Sequence, residues 1–289
     1  MWQAISHQLS EVLGRQFKIN EREAIQGGDV NQCYCVGDGE QRFFIKLNDK
    51  DQLAVFKTEA ESLRILNEAN CVQVPQHFHL GTCRDKSFLI LNYLPTKTID
   101  DDAGYTLGQQ LAQLHLWGEQ AEYGFDFDNY IGLTLQPNKW RRRWDKFFAE
   151  QRIEWQLQLC EEKGLHFGDI DTITANVAQR LSNHQPKPSL LHGDLWHGNT
   201  ALTVSGPILF DPATYWGDRE CDVAMTELFG GFPASFYKGY QSVYPLDEGY
   251  QDRKDLYNLY HILNHCNLFG GEYMGQAQNI ITKLMLWDE

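Results

Sequence analysis

What the sequence lacks narrows it first. No run approaches the roughly 18 consecutive apolar residues of a membrane span. Positive charge is scarce: 25 Lys and Arg stand against 39 Asp and Glu, a net charge of −14, which argues against general affinity for nucleic acid or an anionic membrane. There is no C-x-x-C pair. Cys33, Cys35, Cys71, Cys83, Cys160, Cys221 and Cys266 are scattered and odd in number, and the N-terminus lacks a charged-then-apolar leader. Reduced thiols in a cytoplasmic protein are therefore expected. No internal repeat or low-complexity stretch is present. His261 and His265 lie i, i+4, but Ile262 replaces the Glu of H-E-x-x-H, so no zinc site is expected there. The basic and aromatic run from Lys139 to Trp144 is read as the solvated start of a helix, not a nucleic-acid surface.

What is present suits a globular chain. Its 289 residues are 42% hydrophobic, enough for one large or two modest domains. Trp2, Ile5, Leu9 and Leu13 follow helical spacing, predicting a helix packed on the body of the protein. Gln32 to Val36 and Arg42 to Leu47 flank the turn Gly37-Asp38-Gly39 as a hairpin, and a helix is expected from about Leu53 to Ala69. Lys86 to Leu94 forms another strand, ending at Pro95. From about residue 100 the pattern turns mainly helical, through Leu107, Leu111 and Leu114, then Trp144 to Gln158. Pro186 and Pro188 break a helix before two short strands, Ser189 to His192 and Pro207 to Phe210. Leu256 to Phe269 and Gln276 to Leu286 close the chain as helices.

Those two short strands flank the most informative segment, His192-Gly193-Asp194-Leu195-Trp196-His197-Gly198-Asn199, followed by Asp211. Asn199 lies five places after Asp194, and Asp211 twelve beyond that. The spacing is that of H-x-D-L-x-x-x-N with a downstream metal-binding Asp, a phosphoryl-transfer site. Asp194 is placed to accept a hydroxyl proton. Asn199 and Asp211 offer hard oxygen ligands for a divalent cation. Read instead as turn residues with capping side chains, Asp194 and Asn199 would leave Asp211 and the upstream lysine unexplained. With so acidic a chain, a polyphosphate needs a locally basic cleft, or Mg²⁺ and backbone N–H groups.

Such a site also needs a lysine for the nucleotide phosphates and an acid to hold it. Lys46, on the strand after Phe43-Phe44-Ile45, supplies the ammonium. The following helix offers Glu59 and Glu61. With Phe56 as zero on a helical wheel, Glu59 lies about 60° away and Glu61 about 140°. Glu59 borders the core-facing stripe, with Ala60 and Leu63, so it is the expected partner and Glu61 points to solvent. Gly27 and Gly28 before a strand are candidates for close approach to phosphate. Asn92, Tyr93 and Leu94 lie where a hinge would meet adenine through the backbone. Cys33 and Cys35, on one strand face, are candidates for redox sensitivity, with buried inert thiols as the alternative. Trp196, Trp216, Asp218, Arg219, Glu220 and Asp222 form the candidate substrate and supporting set. Within it, Arg219 or Glu220 is expected near substrate and Asp222 bracing the loop backbone, with an ion-paired helix start as the alternative.

The chain resembles the fructosamine kinase family, in the aminoglycoside/choline kinase branch of the protein-kinase-like fold. The resemblance spans essentially the whole chain. It rests on Gly27-Gly28, Phe43 to Lys46, Phe56 to Glu59, Tyr123 to Gly132 with Gln136-Pro137-Asn138, His192 to Asn199, and above all Asp211 to Asp222. It implies an α+β, bilobal fold, with a small antiparallel-sheet lobe over residues 1–93 and a larger, mainly helical lobe over residues 94–289. It implies ATP- and Mg²⁺-dependent phosphorylation of the sugar O3 of ketosamines, which makes the adduct labile and frees the amine. Asp194 is then the base, Asn199 and Asp211 bind Mg²⁺, and Lys46 with Glu59 orients the phosphates. Two residues depart from the family pattern: Asp29 where many members carry Cys, and His197 where Ser is usual. A small-molecule or protein-linked ketosamine is the expected partner, with no nucleic acid and no membrane, in a monomer or weak homodimer. The alternatives are a kinase for another hydroxylated amine, such as an aminoglycoside or choline, and a non-catalytic ATP-binding module.

Overall fold

Helix α1 (Trp2–Leu13) buries Ile5 and Leu9 and stops at Gly14, whose φ of 64° ends the helix in the left-handed region. The computed structural model, which describes residues 1–25 and 30–285, packs this helix on an antiparallel sheet. The strands are β1 (Glu21–Ile25), β2 (Gln32–Gly37), β3 (Arg42–Asp49), β4 (His77–Cys83) and β5 (Lys86–Asn92), in the order β1-β2-β3-β5-β4. Side-chain alternation along β5 explains its continuous apolar run. Phe88 and Ile90 join Ile5 and Leu9 of α1 in one core cluster, while Leu89 and Leu91 join Phe56, Ala60, Leu63 and Leu66 of helix α2 (Leu53–Ala69) in the other.

The second cluster does not end with the sheet. It continues through Leu107 and Leu111 of α3 (Asp101–Leu116) to Leu284 near the end of the described chain. Helix α3 is started by Asp100, whose carboxylate accepts the N–H of Ala103. A short hairpin follows, β6 (Asn129–Ile131) and β7 (Thr134–Gln136). Next come α4 (Trp144–Phe148), a π-helical stretch over Ala149–Glu154, and α5 (Trp155–Glu162). Helix α6 (Ile170–Leu181) is capped by Asp169. Then β8 (Ser189–Leu190) pairs with β11 (Trp216–Gly217), and β9 (Thr200–Thr203) with β10 (Gly206–Leu209). Helices α7 (Glu220–Leu228), α8 (Ala234–Val243), α9 (Tyr250–Phe269) and α10 (Glu272–Met285) complete the C-terminal part. No helix among the described residues is long and apolar enough to cross a membrane.

The α+β, two-lobed architecture expected from the sequence is present. Helix α2 has the expected bounds. Strand β5 ends at Asn92, two residues earlier than expected, because its ladder with β3 stops at the pair Phe43–Asn92. Helix α9 starts at Tyr250, six residues earlier than expected. Strand β1 escaped notice in the sequence: it is an edge strand of charged, exposed residues with no alternation to read.

Helices α3 and α8 meet at glycines because their backbones nearly touch. A Cβ on Gly108 would sit 2.0 Å from the Phe236 carbonyl oxygen, and one on Gly239 would sit 2.1 Å from that of Tyr105. Gly108→Ala should destabilise the protein by about 1–3 kcal/mol or more, as overpacking of a close contact does. Gly275→Ala, on α10 with nothing within 4 Å, should be neutral or stabilise by up to about 1 kcal/mol. Denaturant midpoints of the two variants check the contrast.

Candidate active site

Both lobes line a cleft of about 940 Å³. On its sheet side Lys46 reaches inward from β3 and is only 3% exposed. Its Nζ lies 2.7 Å from Glu59 Oε1 and 2.5 Å from Asp211 Oδ1. Glu61 instead faces out, paired with Arg64. Burial alone would lower the Lys46 ammonium, but Asp211 and Glu59 outweigh it and hold the group above its usual range. Burial pushes Glu59 up and the Lys46 charge pulls it back. The geometry is that of an ionised triad, since a single ammonium donates to both carboxylates.

The opposite wall carries Asp194, Asn199 and Asp211. His192 ties this loop together as a neutral ring. Its Nε2 donates to the Phe210 carbonyl at 2.7 Å, while Nδ1 accepts the N–H of Asp194 at 3.3 Å. Burial holds its pKa down, which suits that tautomer. Asp222 accepts the N–H groups of His192 and Gly193 at 2.7 and 2.9 Å, and His115 Nε2 lies 3.1 Å from it. Burial pushes Asp222 up, but the His115 and backbone N–H contacts prevail and leave its pKa lowered. Gly193 is required here: its φ is 87°, and a Cβ would lie 2.0 Å from the Ala213 carbonyl oxygen. Asn199 Nδ2 donates to the Asp194 carbonyl at 2.8 Å and to its Oδ2 at 3.2 Å. The amide's oxygen is thereby directed away from Asp194. Asp194 itself is pushed up to about 7, first by burial and then by Asp211, against the opposing Asn199 hydrogen bond.

The remaining candidates divide. Asn92, Tyr93, Leu94, Trp196, Cys33 and Cys35 line the cleft. Gly27 and Gly28, with Asp29, lie outside the described residues. Trp216, Asp218, Arg219 and Glu220 do not line the cleft, so the structure does not bring Arg219 or Glu220 to the position expected near substrate. Trp216 stacks on Trp117. Asp218 accepts the Tyr257 hydroxyl and pairs with His184, and Glu220 takes two hydrogen bonds from Arg253. Arg219 donates to the carbonyls of Tyr244 and Pro245 and covers the Tyr244 ring. These residues hold α7 to α8 and α9. Burial pushes the Cys33 thiol up to about 11, away from a reactive thiolate. His184, Asp218 and Glu220 are close enough to share a cation, but the carboxylates already have the partners just named.

Sequence reasoning missed the far wall. Asn264, His265, Leu268 and Phe269, all from α9, face the same cleft as Asp194, with Tyr130 and Ile131 of β6. Trp196 meets the Phe229 ring at 6.2 Å, and Phe229 meets His265 at 4.8 Å. Only tertiary folding brings a helix near the chain's end back to a loop some seventy residues earlier. The aromatic spacing on α9 was the one available signal, and it is also core spacing.

The donor set fits a hard divalent cation. Asn199 offers an amide oxygen. The Asp211 side chain, 47% exposed, presents a carboxylate to the cleft, so both offered ligands are oxygens.

Comparison with known proteins decides the family. A model of the fructosamine kinase family matches residues 1–286. The chain belongs to the fructosamine kinase family. A probable ketoamine kinase of Vibrio vulnificus strain CMCP6 is 59% identical over 286 residues, which cover 99% of each chain. The crystal structure of a putative fructosamine-3-kinase from Haemophilus somnus 129PT superposes with a TM-score of 0.94 at 40% identity, covering 99% of this chain and 98% of that one. A choline kinase, LicA of Streptococcus pneumoniae, matches with a TM-score of 0.65 at 16% identity over 99% of both chains, a likeness of fold alone.

His261 lies behind this wall, and burial, then neighbouring His265, lowers its pKa to about 3. The folded pKa is below the unfolded value, so the folded state resists protonation. Stability should be fully present above about pH 6.5 and fall as the pH drops from there toward 3. His261→Gln should flatten that part of the curve, as thermal midpoints between pH 7.5 and 4 would show.

Proposed function

We propose that the chain is an ATP- and Mg²⁺-dependent kinase of ketosamines. It phosphorylates the sugar O3 of fructosamine- or ribulosamine-type glycation adducts and so promotes their deglycation. One observation carries this: Lys46, held by Glu59, meets Asp211 in the cleft that also holds Asp194 and Asn199. Family membership and the names of its relatives support the acceptor class. The fold supports phosphoryl transfer in general.

The roles follow from the residues. Lys46 is an ammonium fixed in place before any substrate arrives, so orienting the nucleotide phosphates costs little further ordering. Asp194, raised to about 7 by burial and Asp211, is a base matched to neutral pH. It takes the proton of the acceptor hydroxyl as that hydroxyl's oxygen bonds the γ-phosphorus of ATP and the bond from phosphorus to the bridging oxygen breaks, ADP leaving. Asn199 holds Asp194 by its side-chain N–H groups. The Asn199 amide oxygen and the Asp211 carboxylate are the atoms that would hold Mg²⁺. When bound, Mg²⁺ neutralises polyphosphate charge that this acidic chain, with Lys46 the one cation among the described lining residues, does not balance alone. Trp196 and the α9 wall border the acceptor side.

Asp194→Asn should lower turnover by roughly 10²–10⁴-fold with little loss of ATP binding, because it removes a proton acceptor and no phosphate contact. Near-wild-type turnover would exclude Asp194 as the base. ATP consumption over fructosyl-, ribulosyl- and erythrulosyl-amines, with aminoglycosides and choline as controls, tests the substrate class. Turnover confined to the controls would overturn it.

A further inference from the structure

The Gln136-Pro137-Asn138 segment takes no part in the chemistry above, and the structure shows what it contacts. Arg152, in the π-helical stretch, is 0% exposed. Its guanidinium meets no carboxylate among the described residues. It donates instead to the Pro137 carbonyl at 2.5 Å and to Asn138 Oδ1 at 2.7 Å, beneath the Tyr215 ring at 4.0 Å. A buried cation without a counter-ion is costly. Its retention calls for a reason beyond packing.

Arginine can only donate. Asn138 must therefore turn its oxygen to Arg152, which sends its Nδ2 to Asn129 Oδ1 at 2.7 Å. Asn129 must then present its own Nδ2 to the Thr214 carbonyl, at 2.9 Å. Gln136 Nε2 donates to the same Asn129 oxygen at 2.7 Å and to the Ala213 carbonyl at 3.1 Å, while its Oε1 accepts the Tyr260 hydroxyl at 2.6 Å. A charge that cannot invert thus sets the direction of every amide up to the backbone just after Asp211. That backbone needs holding. Asp211 has a φ of 52°, a left-handed conformation that is costly for a residue with a side chain and persists only where its surroundings over-determine it.

We infer that Arg152 is a positioning residue for the Asp211 carboxylate, acting through the side-chain amides of Asn138, Asn129 and Gln136. The inference rests on the kinase reading only for its purpose, metal and nucleotide engagement. Asn138→Asp separates positioning from stability. The new carboxylate would satisfy Arg152 as an ion pair but has no N–H for Asn129. Asn129 would then turn its oxygen toward the Thr214 carbonyl, and the loop would lose its support.

The test is calorimetric binding of ATP to the full chain with and without Mg²⁺, alongside thermal unfolding. Asn138→Asp should still unfold cooperatively yet lose roughly 10–100-fold in Mg²⁺-dependent affinity, as supports of metal ligands do, with metal-free ATP binding unchanged. Tyr260→Phe, a milder change should Asn138→Asp fail to fold, should lose about fivefold. Asn267→Asp, at a buried amide bonded to Gln156 outside the relay, should lower the melting temperature and leave the metal dependence intact. Folded relay variants with wild-type metal dependence would overturn the inference, as would an equal loss in Asn267→Asp. A wild-type chain indifferent to Mg²⁺ and ATP would sink the kinase reading and the relay together. A responsive wild type whose folded relay variants respond to Mg²⁺ just as it does would sink the relay alone.

Discussion

A buried ammonium cannot stand without counter-charge, and Lys46 makes the rest of the site depend on that fact. At 3% exposure its desolvation costs several kcal/mol. The cost is offset only while Glu59 on α2 and Asp211 in the C-terminal lobe both stay within hydrogen-bonding reach. One charge thus joins a sheet, a helix and a loop far along the chain. The apolar core, which runs unbroken from Phe56 to Leu284, holds the lobes close enough for that bridge to form.

Around the bridge the polar groups are arranged so that few alternatives remain. A neutral His192 fixes the catalytic loop against Phe210, Asp222 gathers two backbone N–H groups, and Gly193 admits the Ala213 carbonyl where any Cβ would collide. His192, Gly193 and Asp222 each have hydrogen-bond partners there. A polar network of this kind adds rigidity as well as stability. Rigidity matters where a proton acceptor, an amide and a carboxylate must keep fixed spacing.

Helix α2 and the choice of Glu59 over Glu61 were legible in the sequence because helical periodicity places them directly, while the two-lobed architecture followed from the family resemblance. The loop from His192 to Asp211 was legible because its residue types and spacing follow from phosphoryl chemistry. Three things were not. The α9 wall depends on a helix folding back across the chain, and nothing local to Asn264 or Phe269 marks it as a cleft residue. Arg219 and Glu220 sit near the loop in sequence, yet tertiary packing turns them toward α8 and α9, as their partners Tyr244 and Arg253 show. The role of Asn129 and Asn138 is invisible until the direction of each hydrogen bond is known.

The most direct test of the central claim is steady-state ATP turnover of Glu59→Gln, measured with its melting temperature and with Glu61→Gln as reference. Gln keeps the shape and an oxygen for Lys46 but removes the charge that holds it. The account expects turnover to fall by roughly 10–100-fold in Glu59→Gln with the fold intact, and Glu61→Gln to match the wild type. Wild-type turnover in a folded Glu59→Gln, or an equal loss in Glu61→Gln, would contradict it.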